Sequence, residues 1–211
     1  VQDSDFDDNN QSSEYSRSLS DPTDSPLAHF LVGLGAILTE NHKHTLSMEA
    51  GLSIYQQTFF KTNGRQVIAT DMRTPPVGDF SGLNSSYQAR WLSGFIAVSD
   101  TVSIQKHKLT LTARLLQTDY QAKADWNLRQ DFAHPVSFQH DALGQGAHFE
   151  VSYQIPLSQN FSLYSAWTQN QMKTDSGLDT VFFADGSTGV TKLNEAEWKS
   201  QTMSVGVSYQ L

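Results

Sequence analysis

Polar and apolar side chains alternate one by one in several stretches of this sequence. The clearest stretches are 46–54, 109–115, 149–155 and 203–211. In the last of them, MSVGVSYQL, every second residue is apolar and the residues between are Ser, Gly or Gln. An alternation of period two places the apolar side chains on one face of a β-strand, whereas an α-helix would spread them over its whole surface. The sequence therefore predicts an all-β fold.

The lengths of the connections between strands predict how the strands are arranged. We predict seven strands, at 27–39, 45–60, 86–99, 107–120, 146–155, 160–172 and 197–211. The short connections TENHKH, SDTVSIQ and PLSQN alternate with long polar ones at 61–85, 121–145 and 173–196. Tight turns at one rim and long loops at the other are typical of bacterial outer-membrane barrels. We therefore expect residues 1–211 to form one antiparallel transmembrane β-barrel domain, with 1–26 as an extracellular loop.

Composition excludes several other classes of protein. The net charge is −8, which disfavours nucleic acid, because phosphate contacts come from Lys and Arg, and favours cationic partners. No segment approaches the roughly 20 apolar residues that a membrane helix needs, whereas lipid-facing strands need only alternate. The chain has no cysteine, and no metal site is predicted. A soluble β-sandwich or a lipocalin-like barrel is the alternative to a membrane barrel.

The odd number of strands suggests that the barrel is incomplete. If the C-terminus lies in the periplasm, the last strand runs from the outer rim towards the periplasm. With seven antiparallel strands the first predicted strand runs in the same direction, so 1–26 would lie outside the cell. A barrel does not begin in an outer loop. We therefore expect at least one strand before Val1, and the chain would be a fragment of a longer barrel.

The first predicted loop carries a motif that resembles one family. The stretch DSDFDDNNQSSEYSRSLSDP is similar to the first catalytic loop of the omptins, which are ten-stranded outer-membrane proteases. Asp3 and Asp5 fall on the omptin Asp-x-Asp pair, Phe6 falls on its Trp and Asp8 on the next Asp, while Asp21 replaces a His. The resemblance continues through all seven strands, which would be the fourth to tenth strands of the family.

This resemblance implies an endopeptidase with a water nucleophile. In omptins the first Asp pair positions the water, and an Asp–His pair across the cleft supplies the general base. Two close carboxylates cannot both ionise easily, and an imidazole backed by a carboxylate titrates near neutral pH, so the chemistry is sound. Residues 1–26 hold seven acidic residues against one basic residue, and clustered carboxylates attract cationic peptides, so for a protease we expect cleavage beside Arg or Lys. We expect Asp3 and Asp5 to be catalytic and Asp8 to bind substrate.

The second half of the omptin site departs from the family pattern. If Tyr120 is aligned on the family's aromatic strand end, Asp125 falls on the Asp that binds a basic substrate side chain. The same alignment puts Asn127 on the catalytic Asp and Arg129 on the catalytic His. Arginine stays protonated and cannot act as a general base. The literal alignment therefore implies that the base has been lost.

Two histidines nearby could replace the missing base. We expect Asp131 and His134 to form the catalytic pair, with the adjacent His140 and Asp141 as the alternative. If neither pair enters the cleft, the chain would be a non-enzymatic relative that serves as an adhesin or binds peptides. A small-solute pore or a structural barrel of another family remains the third possibility.

Omptins also need lipopolysaccharide for activity, so the resemblance implies that lipid as a partner. In omptins it is bound by basic residues on the outer wall of the barrel. The candidates in this sequence are Arg90, Lys106, Lys108 and Lys199. No other cofactor is expected, and the expected location is the bacterial outer membrane with the long loops outside the cell.

Overall fold

The chain forms a single continuous antiparallel sheet. The computed structural model describes residues 2–6, 12–70, 72 and 74–209, and at residues 3 and 5 the backbone alone. Within these residues there are twelve strands: β1 Gln2–Phe6, β2 Glu14–Thr23, β3 Leu27–Glu40, β4 His44–Ala69, β5 Gly78–Phe80, β6 Ser85–Ile104, β7 His107–Asp125, β8 Phe138–Pro156, β9 Phe161–Thr174, β10 Gly177–Phe182, β11 Thr188–Leu193 and β12 Glu197–Tyr209. The same residues contain no helix that is long and apolar enough to span a bilayer.

All seven predicted strands are present, and they form the barrel wall. Their order across the sheet is β3–β4–β6–β7–β8–β9–β12, and every neighbouring pair is antiparallel. Tight turns at 41–43, 105–106 and 157–160 join them at one end. At the other end the strands run well past their predicted limits, so that β4 alone has 26 residues. The predicted alternation of short and long connections is confirmed.

Most aliphatic side chains of the wall point away from the barrel interior. Leu34, Leu115 and Met203 are 88%, 64% and 82% exposed, and they belong to a band of outward Leu, Ile, Val and Met side chains. Polar side chains occupy the inner face, together with a cluster of buried aromatic residues. There His148 Nδ1 lies 2.6 Å from Asn170 Oδ1, and Asn170 donates a hydrogen bond to another inner-face side chain. A polar interior inside an apolar belt is the arrangement of a transmembrane barrel.

Five strands lie where the sequence predicted connections. The segment predicted as an open loop at 1–26 contains β1 and β2, which pair with each other and extend the sheet along the upper half of β4. On the other side, β10 and β11 form a hairpin that pairs with the start of β8. The short β5 also pairs with β4. Above the membrane both faces of a strand meet water, so these strands need no apolar stripe, which explains why hydrophobic alternation did not reveal them.

Gly144 in β8 allows close approach of the neighbouring strand. A Cβ atom at this position would lie 2.4 Å from the Lys173 carbonyl oxygen and 2.8 Å from Thr174 Cα. Backbone atoms cannot swing aside, so we expect Gly144→Ala to lower the free energy of unfolding by about 1–3 kcal/mol. Urea unfolding of the refolded protein in detergent, followed by tryptophan fluorescence, measures this change.

Gly206 in β12 supplies the matched control for that substitution. A Cβ atom at Gly206 would have no neighbour within 4 Å. We expect Gly206→Ala to change the free energy of unfolding by less than about 0.5 kcal/mol. Equal losses from the two variants would contradict the packing described for β8 and β9.

Candidate functional site

A cleft of about 270 Å³ separates β2 from the segment that follows β7. Its β2 wall carries Ser16, Ser18 and Ser20, and its opposite wall carries Trp126, Leu128 and Arg129. The remaining lining residues are Lys61, Gln66, Pro75, Phe80, Leu83 and Ser85. The predicted loop 1–26 and the predicted connection 121–145 therefore face each other across one gap.

The predicted Asp-x-Asp pair lies on the strand beside this cleft. In the ladder between β1 and β2, Asp3 is paired with Ser18 and Asp5 with Ser16. Their two partners are residues of the cleft wall, and Gln66 of β4 donates a 3.1 Å hydrogen bond to Ser16 Oγ. Asp8, the predicted substrate-binding residue, lies outside the described residues. The catalytic role of Asp3 and Asp5 stays a prediction.

Arg129 is held in the cleft wall by Asp131. Its Nε donates a 2.9 Å hydrogen bond to Asp131 Oδ1, and its Nη2 donates a 2.7 Å hydrogen bond to Asp131 Oδ2. The guanidinium also lies 4.4 Å from the centre of the Phe132 ring. This bidentate pair holds the pKa of the Asp131 carboxyl below its usual value. The carboxylate predicted to orient a histidine therefore binds an arginine.

His134 is paired with Asp125 instead of Asp131. The His134 Nδ1 atom lies 2.6 Å from Asp125 Oδ1. Near the end of β7, Ala122 and Ala124 point into the interior and are almost fully buried, whereas Lys123 is exposed. Asp125 shares the strand face of Lys123, so alternation places the Asp125–His134 pair on the outer side of the sheet. His134 is also not among the residues that line the cleft.

Asn127, which aligns with the catalytic Asp of omptins, joins two loops. Its Oδ1 accepts hydrogen bonds from the Asn84 backbone N–H at 2.9 Å and from Ser85 Oγ at 3.1 Å. Its Nδ2 donates a 2.7 Å hydrogen bond to the Gly82 carbonyl oxygen. All these contacts link segment 82–85 to the end of β7, so Asn127 fixes the shape of the cleft wall.

The alternative base, His140, lies inside the barrel in a chain of polar contacts. Its Nδ1 is 2.9 Å from the Tyr87 hydroxyl, which is 2.5 Å from the Tyr120 hydroxyl. Its Nε2 is 3.4 Å from Asp179 Oδ1 of β10. The adjacent Asp141 instead accepts a 2.8 Å hydrogen bond from Gln139. The sequence offered no signal for Asp179, because its pairing with His140 depends on the β8–β10 ladder.

Comparison with known proteins places this architecture in a family. A family model described as Protochlamydia outer membrane protein (Pom) matches residues 1–211. The chain belongs to the Pom family. Its fold is similar to the crystal structure of the outer membrane protease OmpT from Escherichia coli, with a TM-score of 0.78 and 14% identity, over 99% of this chain and 72% of the OmpT chain. No curated protein matched the sequence.

These comparisons bear on the fold and the location of the Pom chain. The OmpT match supports the predicted omptin-like outer-membrane barrel, and the Pom match supports the predicted outer-membrane location. At 14% identity the match shows a shared fold and leaves the activity open. Within the described part of this Pom protein, no group of three or more His, Asp or Glu side chains could hold a metal ion.

The partial burial of His140 in this Pom protein predicts a pH-dependent stability. Burial lowers the pKa of His140, although Asp179 and Asp141 oppose the shift. The unfolded imidazole, with a pKa of about 6.5, therefore takes up a proton at a higher pH than the folded one. The contribution of His140 to the free energy of unfolding should be fully present above about pH 6.5. It should decrease as the pH falls towards the lowered pKa of His140 in the folded protein.

Urea unfolding at pH 7.5 and pH 5.0 tests this expectation. The wild-type protein should lose more stability on acidification than His140→Gln, which lacks the titrating group. The other histidines are common to both proteins, so the difference between the two isolates His140. The same loss in both proteins would contradict the assignment of a lowered pKa.

Proposed function

We propose that this Pom protein binds extended cationic peptides in the cleft between β2 and 126–129 and does not hydrolyse them. The observation that supports this most directly is the position of Arg129. It lines the cleft where the omptin alignment expects the catalytic histidine, and its bidentate bond to Asp131 fixes it there. A permanently protonated side chain cannot remove a proton from water. His134 and His140 have other partners outside this cleft.

The charge of the N-terminal segment supports a cationic ligand. Residues 1–26 contain seven acidic residues and only one basic residue, Arg17. Arg17 is already bound to Glu14. Clustered carboxylates around a cleft attract cations and raise their rates of association. An extended Lys- or Arg-rich peptide would match the negative charge of this segment.

Binding of a fluorescent Arg-Arg peptide to the refolded protein tests this proposal. We expect Asp5→Asn to weaken binding at least about tenfold, since a hydrogen bond to a charged group contributes about 1.5–3 kcal/mol. Glu40→Gln, at the opposite rim, is the matched control and should leave the affinity unchanged. Fluorescence anisotropy measures affinity, and chromatography of the same samples detects cleavage. No binding by the wild-type protein, or conductance in a planar bilayer, would contradict a peptide receptor.

An endopeptidase of omptin type is the second candidate, and the Asp125–His134 pair favours it. A 2.6 Å contact between an imidazole and a carboxylate is the arrangement of a general base with its orienting acid. In this scheme Asp3 and Asp5 hold the water, and segment 126–137 turns His134 into the cleft. Asp125 would then orient the base in place of Asp131. Turnover of the Arg-Arg peptide that His134→Ala abolishes would establish this candidate.

For either function we propose that lipopolysaccharide contacts the outer wall around Arg90. Arg90 donates a 2.7 Å hydrogen bond to Gln121, and both line an outward-facing depression together with Lys123. This patch lies just above the exposed Leu92, where phosphate groups of the outer leaflet would meet the wall. Lys106 lies in the tight turn at the other end, so it is not part of this proposal.

The effect of lipopolysaccharide on thermal unfolding tests that contact. We expect the lipid to raise the melting temperature of the wild-type protein, because a ligand that binds only the folded state stabilises it. The increase should be smaller in a double variant, Arg90→Gln with Lys123→Gln. Lys106→Gln should respond as the wild type does.

A further inference from the structure

A second cavity of about 280 Å³ lies inside the barrel, and six aromatic side chains line it. The aromatic lining residues are Tyr55, Phe59, Tyr87, Trp91, Tyr120 and Trp198. They come from β4, β6, β7 and β12. Two glutamates, Glu195 and Glu197, lie at its edge where β11 connects to β12. This cavity shares no lining residue with the peptide cleft.

The aromatic rings are held in place by contacts with each other. The centres of the Trp91 and Tyr120 rings are 4.4 Å apart, and those of Tyr55 and Trp198 are 5.0 Å apart. Trp198 Nε1 donates a 3.1 Å hydrogen bond to Gln57. These contacts hold Tyr55, Trp91, Tyr120 and Trp198 in the cavity wall.

The charges around this cavity favour a cation. Among the described residues, the lining contains no Lys or Arg. Its one histidine, His140, has a pKa lowered by burial, which keeps it neutral at pH 7. Behind His140 lies Asp179, whose Oδ1 is buried and accepts no hydrogen bond. Aromatic ring faces are negative, so rings and carboxylates together attract a positive charge.

The ion pairs made by the two glutamates indicate which kind of cation fits the cavity. Glu195 is bound to Lys173 at 2.8 Å, and Glu197 is bound to Lys199 at 2.7 Å. A guanidinium group needs free acceptors arranged for paired hydrogen bonds. A quaternary ammonium group needs none, because its methyl groups pack on ring faces. We propose that this cavity binds a small organic cation with a trimethylammonium head group, independently of the peptide cleft.

Calorimetric titration of the refolded wild-type protein with four ligands tests the proposal. We expect choline to bind at least about tenfold more tightly than its uncharged analogue 3,3-dimethylbutan-1-ol, which has the same shape. Phosphocholine should bind more weakly than choline, because its phosphate cancels the net positive charge that the ring faces and Asp179 attract. Argininamide should also bind more weakly. Equal binding of choline and its neutral analogue, tighter binding of argininamide, or no binding of choline would overturn the proposal.

Tighter binding of phosphocholine than of choline would point to a lipid head group as the source of the cation. That result would overturn the expected preference for choline over phosphocholine. The cavity would still be a cation site if choline bound more tightly than its uncharged analogue. Failure of choline to bind, with peptide binding intact, would refute this inference alone, because the cleft and the cavity have different lining residues.

Variants of Trp198 test whether the aromatic wall carries the binding. We expect Trp198→Leu to weaken choline binding about tenfold and Trp198→Phe to weaken it less, because indole attracts cations more strongly than phenyl. Trp167, on the lipid-facing side of β9, provides the control. Trp167→Phe should bind choline as the wild type does. Unchanged affinity in both Trp198 variants would overturn the assignment.

Discussion

Arginine in place of Leu115 should destabilise the folded barrel by about 2–4 kcal/mol, the cost of a charge at mid-membrane on a lipid-facing strand. Leu115 is 64% exposed and lies within the outward apolar band of β7. In a water-soluble protein an exposed leucine tolerates arginine with little loss. In a membrane barrel the same site faces hydrocarbon. Reversible urea unfolding in lipid vesicles measures the difference.

Leu178 is a control for Leu115, because its exposed fraction is similar but it lies outside the apolar band. It is 57% exposed, similar to Leu115, but it lies in β10, which pairs with β8 at Asp141, beyond the apolar band. We expect Leu178→Arg to change the stability by about 0–1 kcal/mol, as near the membrane interface. Equal effects at the two sites would mean that the outward apolar band does not face lipid, and the membrane barrel would be wrong.

The difference between positions inside the bilayer and positions above it also explains which strands could be predicted from the sequence. Inside the bilayer, one face of each strand must be apolar, so alternation exposed all seven wall strands and the direction of their side chains. Above the bilayer that requirement ends. The alternation in β2, where Ser16, Ser18 and Ser20 lie on the cleft face, involves polar residues on both sides and gave no hydrophobic signal.

The candidate site was harder to predict, because neither histidine pairs with the acidic residue nearest to it in the sequence. Sequence proximity suggested Asp131 for His134 and Asp141 for His140. The structure pairs His134 with Asp125, where the loop returns to the end of β7, and pairs His140 with Asp179 across the β8–β10 ladder. The spacing of residues within a short stretch of sequence does not predict which residues pair between strands about 40 residues apart. Arg129 lines the cleft, and its alignment with the omptin catalytic histidine stays a prediction.

Replacing Arg129 with histidine should create peptidase activity that the wild-type protein lacks. The new imidazole would stand in the cleft wall, and Asp131, released from its bond to Arg129, would be available to orient it. A positioned general base contributes about 10²–10⁴-fold to rate, so hydrolysis of an Arg-Arg peptide should rise at least about a hundredfold above the wild-type background. The rate should increase with pH through the range where imidazole loses its proton.

Three further variants show which residues any activity of Arg129→His depends on. Arg129→Gln removes the positive charge without supplying a base, so it should stay inactive and shows whether charge alone blocks hydrolysis. Arg129→His with Asp5→Asn should lose the new activity if the Asp3–Asp5 pair holds the water. Arg129→His with His134→Ala should keep it, because His134 lies on the outer side of the sheet. If the wild-type protein already cleaves the peptide and His134→Ala abolishes cleavage, the binding protein proposed above is wrong and the chain is a protease with a relocated base.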